Sequence, residues 1–141
     1  MRFKKRWPKN LILKNKNMQN EFKRFAKSLK HALDGLAYAM AHEKNFRLEI
    51  LFAILVLGLI FLLQVKSWET IVLILMIMWV LVLELINTVL ERVVDILKPR
   101  IHPYAHLIKD LMAAAVLISA IVAVVVGILI FAPYLSGLLN F

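Results

Sequence analysis

The order of hydrophobic and polar positions divides the chain into one amphipathic segment and three long apolar segments. Within residues 21–42, apolar side chains recur every three or four positions, the spacing of one face of a helix. They are Phe22, Phe25, Leu29, Leu33, Leu36 and Met40. Lysine and arginine occupy much of the remaining surface. The pattern predicts an amphipathic helix with a basic side, suited to lying in a membrane interface.

The three apolar segments are long enough to cross a bilayer core of about 30 Å. We predict spans at about residues 46–65, 70–97 and 105–131. Pro99 and Pro103 interrupt the helical pattern between the second and third spans, and Pro133 is predicted to end the third. The predicted fold is therefore all-α: an integral membrane protein with an interfacial amino-terminal helix and three transmembrane helices.

Composition and charge agree with a membrane protein and indicate its orientation. The 141 residues are 62% hydrophobic, and 11 of the 18 lysines and arginines lie in the first 30 residues. The loop at residues 98–109 is also basic, so the positive-inside rule predicts that it and the amino terminus are cytoplasmic. We interpret residues 1–20 as a basic flexible tail before one membrane domain, 21–141. Nucleic-acid binding by this tail is disfavoured, because the rest of the chain suits lipid.

The second span carries a one-sided row of polar groups near its end. At 100° per residue, Glu84, Asn87, Glu91 and Asp95 fall at about 0°, −60°, −20° and +20°. Ionisable groups are costly in lipid, so this row must face protein or a water-filled cavity. The three carboxyls also repel one another, which requires compensation by a metal ion or by basic residues.

Further charged residues are expected at a similar depth on the other spans. Glu43 and Arg47 begin the first span, and Lys109 and Asp110 lie near the start of the third. Carboxylates with few histidines favour Mg²⁺ over zinc. Carboxylates, Mg²⁺ and a lysine are typical of phosphoryl transfer, although no P-loop motif occurs in the sequence. A small proton-coupled transporter and an oligomer contact are the alternatives that this pattern leaves open.

Three motifs resemble those of the prokaryotic diacylglycerol kinase family. Residues 84–95 are similar to its signature, E-x-x-N-[ST]-x-[IL]-E-x-x-[VI]-D. The segment from His42 to Glu49 resembles its Glu-x-x-Phe-Arg motif, and Lys109-Asp110 followed by residues 113–117 resembles its K-D-x-x-[AS]-[AG]-A-V-L motif. The resemblance covers about residues 22–134. It implies an ATP- and Mg²⁺-dependent lipid kinase in the bacterial cell membrane, homotrimeric, with active sites shared between subunits.

The same resemblance implies roles for individual residues. Glu84 matches the general base for the lipid hydroxyl, and Glu43 and Glu91 match the Mg²⁺ ligands. The positions matching nucleotide or substrate contacts are Arg24, His31, Lys109 and Asp110. Asn87 and Asp95 belong to the signature and are expected to organise the substrate site by hydrogen bonds.

Two questions stay open on the sequence. Family members phosphorylate either diacylglycerol or undecaprenol, and the motifs favour undecaprenol only weakly, because Glu49 is more typical of the diacylglycerol type. Arg47 is predicted either to pair with Glu43, four residues before it, or to contact a lipid headgroup or phosphate.

Overall fold

A computed structural model describes residues 9–97 and 104–139, all of whose regular structure is helical. The helices are α1 (Lys9–His42), α2 (Lys44–Leu63), α3 (Ser67–Leu97) and α4 (Tyr104–Leu139). Three stretches, Lys44–Leu63, Ser67–Ile96 and Tyr104–Leu138, are long and apolar enough to cross a membrane. The predicted all-α membrane fold is confirmed, while the interfacial position of α1 stays a prediction.

Two helix boundaries differ from those predicted. Helix α1 begins at Lys9, so much of the segment interpreted as a flexible tail is helical. No glycine or proline lies between Lys9 and Asn20, and leucine, lysine and glutamine there are good helix formers. Helix α4 continues through Pro133 to Leu139. Proline removes one backbone hydrogen bond, but a membrane helix tolerates it because local adjustments satisfy the freed groups.

The chain divides into two compact units, residues 1–38 and 39–141. In the second unit, α3 packs against both α2 and α4. An apolar cluster joins the three helices around the buried side chains of Leu73, Ile130 and Phe131. The central position of α3 brings its polar residues against α2 on one side and α4 on the other.

Most large apolar side chains of the three spans point outward from the single chain. Phe61, Ile96 and Leu129 are examples, each more than two-thirds exposed. Such a surface is suited to lipid acyl chains or to neighbouring membrane helices. Contacts within the single chain therefore cover only a small part of the apolar surface of these spans.

The turn between α2 and α3 is closed by polar contacts to α4. Gln64 ends α2 in the left-handed conformation at φ 49°, and its N–H bonds to the Ile60 carbonyl. The Tyr134 hydroxyl donates to the buried Glu69 carboxylate and accepts from the backbone N–H of Lys66 at 3.2 Å. This contact, which we call the tyrosine lock, ties α4 to the α2–α3 turn.

We predict that Tyr134→Phe destabilises the protein, because it leaves the Glu69 carboxylate buried without its phenolic donor. The loss is expected to appear as a lower thermal unfolding midpoint in detergent. Tyr104→Phe is the matched control, since Tyr104 is 71% exposed. Equal midpoints for the two variants would contradict a stabilising lock.

Candidate active site

The junction between α1 and α2 is fixed by a side chain from α2. Arg47 Nη1 donates to the carbonyl oxygens of Met40 at 3.2 Å and Ala41 at 3.0 Å. These carbonyls belong to the last turn of α1, where a helix lacks intrahelical partners and favours a positive charge. The predicted Arg47–Glu43 ion pair is wrong: the guanidinium is drawn to these carbonyls, and Glu43 pairs elsewhere.

The polar row on α3 begins with three buried residues. Glu84 is 2% exposed, and Asn87 and Thr88 are also buried. Oε2 of Glu84 and Oδ1 of Asn87 find no hydrogen-bond partner in the described part of the chain. Buried oxygens in this state carry a desolvation cost. They are therefore oxygens to which a ligand could bring a cation or a hydrogen-bond donor.

Residues from α2 surround the Glu84 carboxyl. The Asn45 side-chain amide hydrogen-bonds to it, and Glu43 and Glu91 are near enough to interact with it electrostatically. Glu49 is a further carboxylate close to Glu84, and its Oε2 is buried without a partner among the described residues. The site therefore gathers four acidic side chains and an amide at one end of α2 and α3.

Sequence reasoning did not assign Asn45 or Glu49 to the site. A signal was present, because residues four apart share one face of a helix, and both types are polar at the start of an apolar span. The hydrophobic pattern placed Glu49 at the edge of the first span without indicating that it faces Glu84. Only the packing of α2 on α3 brings the two together.

Two cations compensate part of this negative charge. Arg92 Nη2 contacts Glu43 Oε1 at 2.8 Å, and Lys109 Nζ contacts Asp95 Oδ1 at 2.8 Å. The first pair joins α3 to the α1–α2 junction, and the second joins α3 to α4. A third polar contact, from Asn87 Nδ2 to Glu91 Oε1, is longer at 3.4 Å. Basic residues, one of the two predicted kinds of compensation, are thus present.

The acidic residues fit a magnesium ion by their chemistry. Within residues 9–97 and 104–139, no three acidic, histidine or cysteine side chains converge as a ready-made metal cage. Magnesium commonly takes only one or two protein carboxylates and draws its other ligands from substrate phosphates and water. Glu43 and Glu91 are hard oxygen donors near the unpartnered Oε2 of Glu84, so they suit an ion that arrives with a phosphate.

The remaining predicted site residues lie at more exposed positions. Arg24 and His31 are exposed on α1 in the first unit, where Arg24 forms an ion pair with Glu21 at 3.0 Å. Asp110 is exposed near the start of α4, one residue after the half-buried Lys109. Their roles toward a nucleotide stay predictions.

Comparisons with known proteins point to one family. A family model described as prokaryotic diacylglycerol kinase matches residues 30–131. Undecaprenol kinase of Bacillus subtilis (strain 168) is 36% identical over 121 residues, covering 86% of this chain and 98% of that protein. Diacylglycerol kinase of Synechocystis sp. is 38% identical over 113 residues, 79% of this chain and 65% of that protein. Diacylglycerol kinase of Escherichia coli (strain K12) is 33% identical over 109 residues, 77% of this chain and 89% of that protein.

Removing the arginine at the α1–α2 junction provides a test of this part of the site. Arg47→Ala is expected to lower stability by about 1–2 kcal/mol, because two carbonyls at the end of α1 lose a charged donor. Thermal unfolding in detergent measures the effect, with Lys44→Ala as a control that removes an exposed cation from the same helix. A wild-type midpoint for Arg47→Ala would show that these hydrogen bonds contribute nothing.

Proposed function

Since this chain belongs to the prokaryotic diacylglycerol kinase family and is a membrane lipid kinase, we propose that it transfers the γ-phosphoryl group of ATP to a lipid alcohol. The single observation that carries the mechanism is the Glu84 carboxyl, buried on a membrane-spanning helix with Oε2 unpartnered among the described residues. A carboxylate on such a helix can be reached by the hydroxyl of a lipid at headgroup depth.

Glu84 acts as the general base in this proposal. Its Oε2 accepts the proton of the lipid hydroxyl as the oxygen attacks the γ-phosphorus, and the bond from that phosphorus to the bridging oxygen of ADP breaks. The Asn45 amide orients the carboxyl through its hydrogen bond. A positioned base of this kind accelerates a reaction by about 10²–10⁴-fold.

Glu43 and Glu91 would hold Mg²⁺ together with the ATP phosphates. A magnesium ion held by these carboxylates would supply positive charge to the phosphate oxygens. Lys109 and Asp110 would contact the nucleotide from α4, and Arg24 and His31 from α1. Lys109 already pairs with Asp95 at 2.8 Å, so phosphate binding would compete with that ion pair. Asn87 and Asp95 would organise the site around the lipid.

The acceptor lipid is diacylglycerol or undecaprenol. Both present a primary hydroxyl near headgroup level, so the same base serves either one. The relatives include kinases of both names at similar identities, 36% and 38%, which supports the reaction class without separating the substrates. We propose a homotrimer in the bacterial cell membrane, with the site at the cytoplasmic face, from the family resemblance and the distribution of basic residues.

A proton-coupled transporter was the alternative that the acidic row allowed. No contact in the described residues specifically favours it, and family membership favours a kinase. One measurement distinguishes a kinase from a transporter: whether the γ-phosphoryl group of ATP becomes covalently attached to a lipid.

The substrate is identified by incubating the purified chain in mixed micelles with γ-labelled ATP, Mg²⁺ and either lipid. The proposal predicts labelled phosphatidic acid or labelled undecaprenyl phosphate, and chelation of Mg²⁺ should abolish the label. Absence of label with both lipids, together with proton-driven flux in vesicles, would favour the transporter.

Glu84→Gln tests the base, because the amide keeps the shape of the carboxyl but cannot accept the proton. We expect at least about a 100-fold loss of kcat with an unfolding midpoint close to that of the wild type. Glu69→Gln is the matched control: it makes the same change at a buried position near the other end of α3 and should retain activity per folded molecule. Substantial activity in Glu84→Gln would remove Glu84 from the base role.

A further inference from the structure

Arg92 lies beside the acidic row of α3 and reaches another part of the site. At 100° per residue it falls at about +80° from Glu84, on the flank of the row. Its Nη2 nevertheless contacts Glu43 Oε1 at 2.8 Å, across 49 positions of sequence. The contact connects the middle span to the residue that immediately precedes α2.

Glu43 does not cap its own helix. It occupies the N-cap position of α2 with an extended backbone, φ −102° and ψ 116°, and its side chain makes no capping hydrogen bond. Polar side chains at this position commonly turn back to the first N–H groups of the helix. Here the carboxylate pairs with Arg92, so the direction of the Glu43 side chain is set from α3.

The charges around Glu43 make this support necessary. Glu43 and Glu91 each interact electrostatically with the Glu84 carboxyl, so Glu43 has another acidic group near it. Repulsion alone would turn the Glu43 side chain away from the others, because its backbone does not hold it. The Arg92 contact uses Oε1, and a carboxylate has a second oxygen to offer an ion. Arginine suits this task, since its planar guanidinium is always charged and holds a fixed geometry.

We propose that Arg92 is a positioning residue that holds Glu43 in place for magnesium–nucleotide binding. This inference rests on the proposed function, because it assumes that Glu43 is a metal ligand. Arg92 touches neither the lipid nor the phosphates in this proposal. It acts through Glu43, as residues hydrogen-bonded to metal ligands generally do, and loss of such partners typically weakens metal binding by about 10–100-fold.

The test measures ion binding separately from catalysis. The full chain in detergent is titrated with Mg²⁺ in the presence of a non-hydrolysable ATP analogue, and the rise of the thermal unfolding midpoint reports binding. Arg92→Gln is expected to raise the half-saturating Mg²⁺ concentration about 10-fold. Arg92→Lys, which keeps the charge but not the planar fork, should fall between Arg92→Gln and the wild type. Lys66→Gln, a cation removed at the α2–α3 turn, should match the wild type.

Kinetics provide the second readout. Arg92→Gln should raise the KM for Mg–ATP about 10-fold and leave the KM for the lipid unchanged, a division that general destabilisation would not produce. A wild-type half-saturation and a wild-type KM for Mg–ATP would overturn the inference. Should Arg92→Gln fail to fold, Arg92→Lys decides, and a wild-type half-saturation in that variant is the contrary result.

Glu43→Gln separates failure of this inference from failure of the proposed function. If Glu43→Gln abolishes the Mg²⁺-dependent rise while Arg92→Gln leaves it intact, only the positioning role of Arg92 is lost. If neither variant changes the Mg²⁺ titration, Glu43 is not a metal ligand. The proposed function is then wrong at this residue, and the inference about Arg92 is wrong as well.

Discussion

The structure depends on one electrostatic constraint: carboxylates on apolar helices are costly unless they are paired, and several of them here are paired with groups from other parts of the chain. Glu43 meets Arg92, Asp95 meets Lys109 and Glu69 meets Tyr134, and each contact joins two different parts of the second unit. The apolar cluster around Leu73 holds the helices together without specifying depth. The Glu69–Tyr134 contact does specify depth, because sliding α4 would leave the buried Glu69 carboxylate without its hydroxyl donor.

The two ends of the bundle meet this constraint differently. At the α2–α3 turn, the Glu69 carboxylate accepts a hydrogen bond from the Tyr134 hydroxyl, so a group of the same chain stabilises its charge. Near Glu84, several acidic groups lie together, and Glu84 and Glu49 each retain a buried oxygen without a partner in the described residues. Buried carboxylate oxygens without partners are stabilised when a cation or a hydroxyl group binds them. That asymmetry supports placing the proposed active site at the end near Glu84.

Much of the fold was predictable because it follows from local patterns. Three apolar runs of sufficient length predict three spans, and the spacing of Glu84, Asn87 and Thr88 predicts that they share a face, which is buried here. The partners were not predictable. The four-residue spacing of Glu43 and Arg47 suggested an ion pair, but Glu43 precedes the helix, so the spacing rule for helical residues did not apply. Asn45 and Glu49 were missed because their contact with Glu84 depends on how α2 packs against α3.

The Arg92–Glu43 contact shows why a family motif does not describe a whole active site. The signature over residues 84–95 specifies the glutamates, the asparagine and the aspartate but leaves position 92 open. In the proposed function, the acids are needed for their oxygens, which accept the lipid proton and bind the metal ion. The mutual repulsion of the acids must also be compensated by a cation. Because that cation can come from more than one position in the sequence, the family motif does not require a basic residue at a fixed spacing. The positioning role proposed for Arg92 therefore rests on a contact between helices: its guanidinium lies 2.8 Å from the Glu43 carboxylate, which makes no capping hydrogen bond to its own helix.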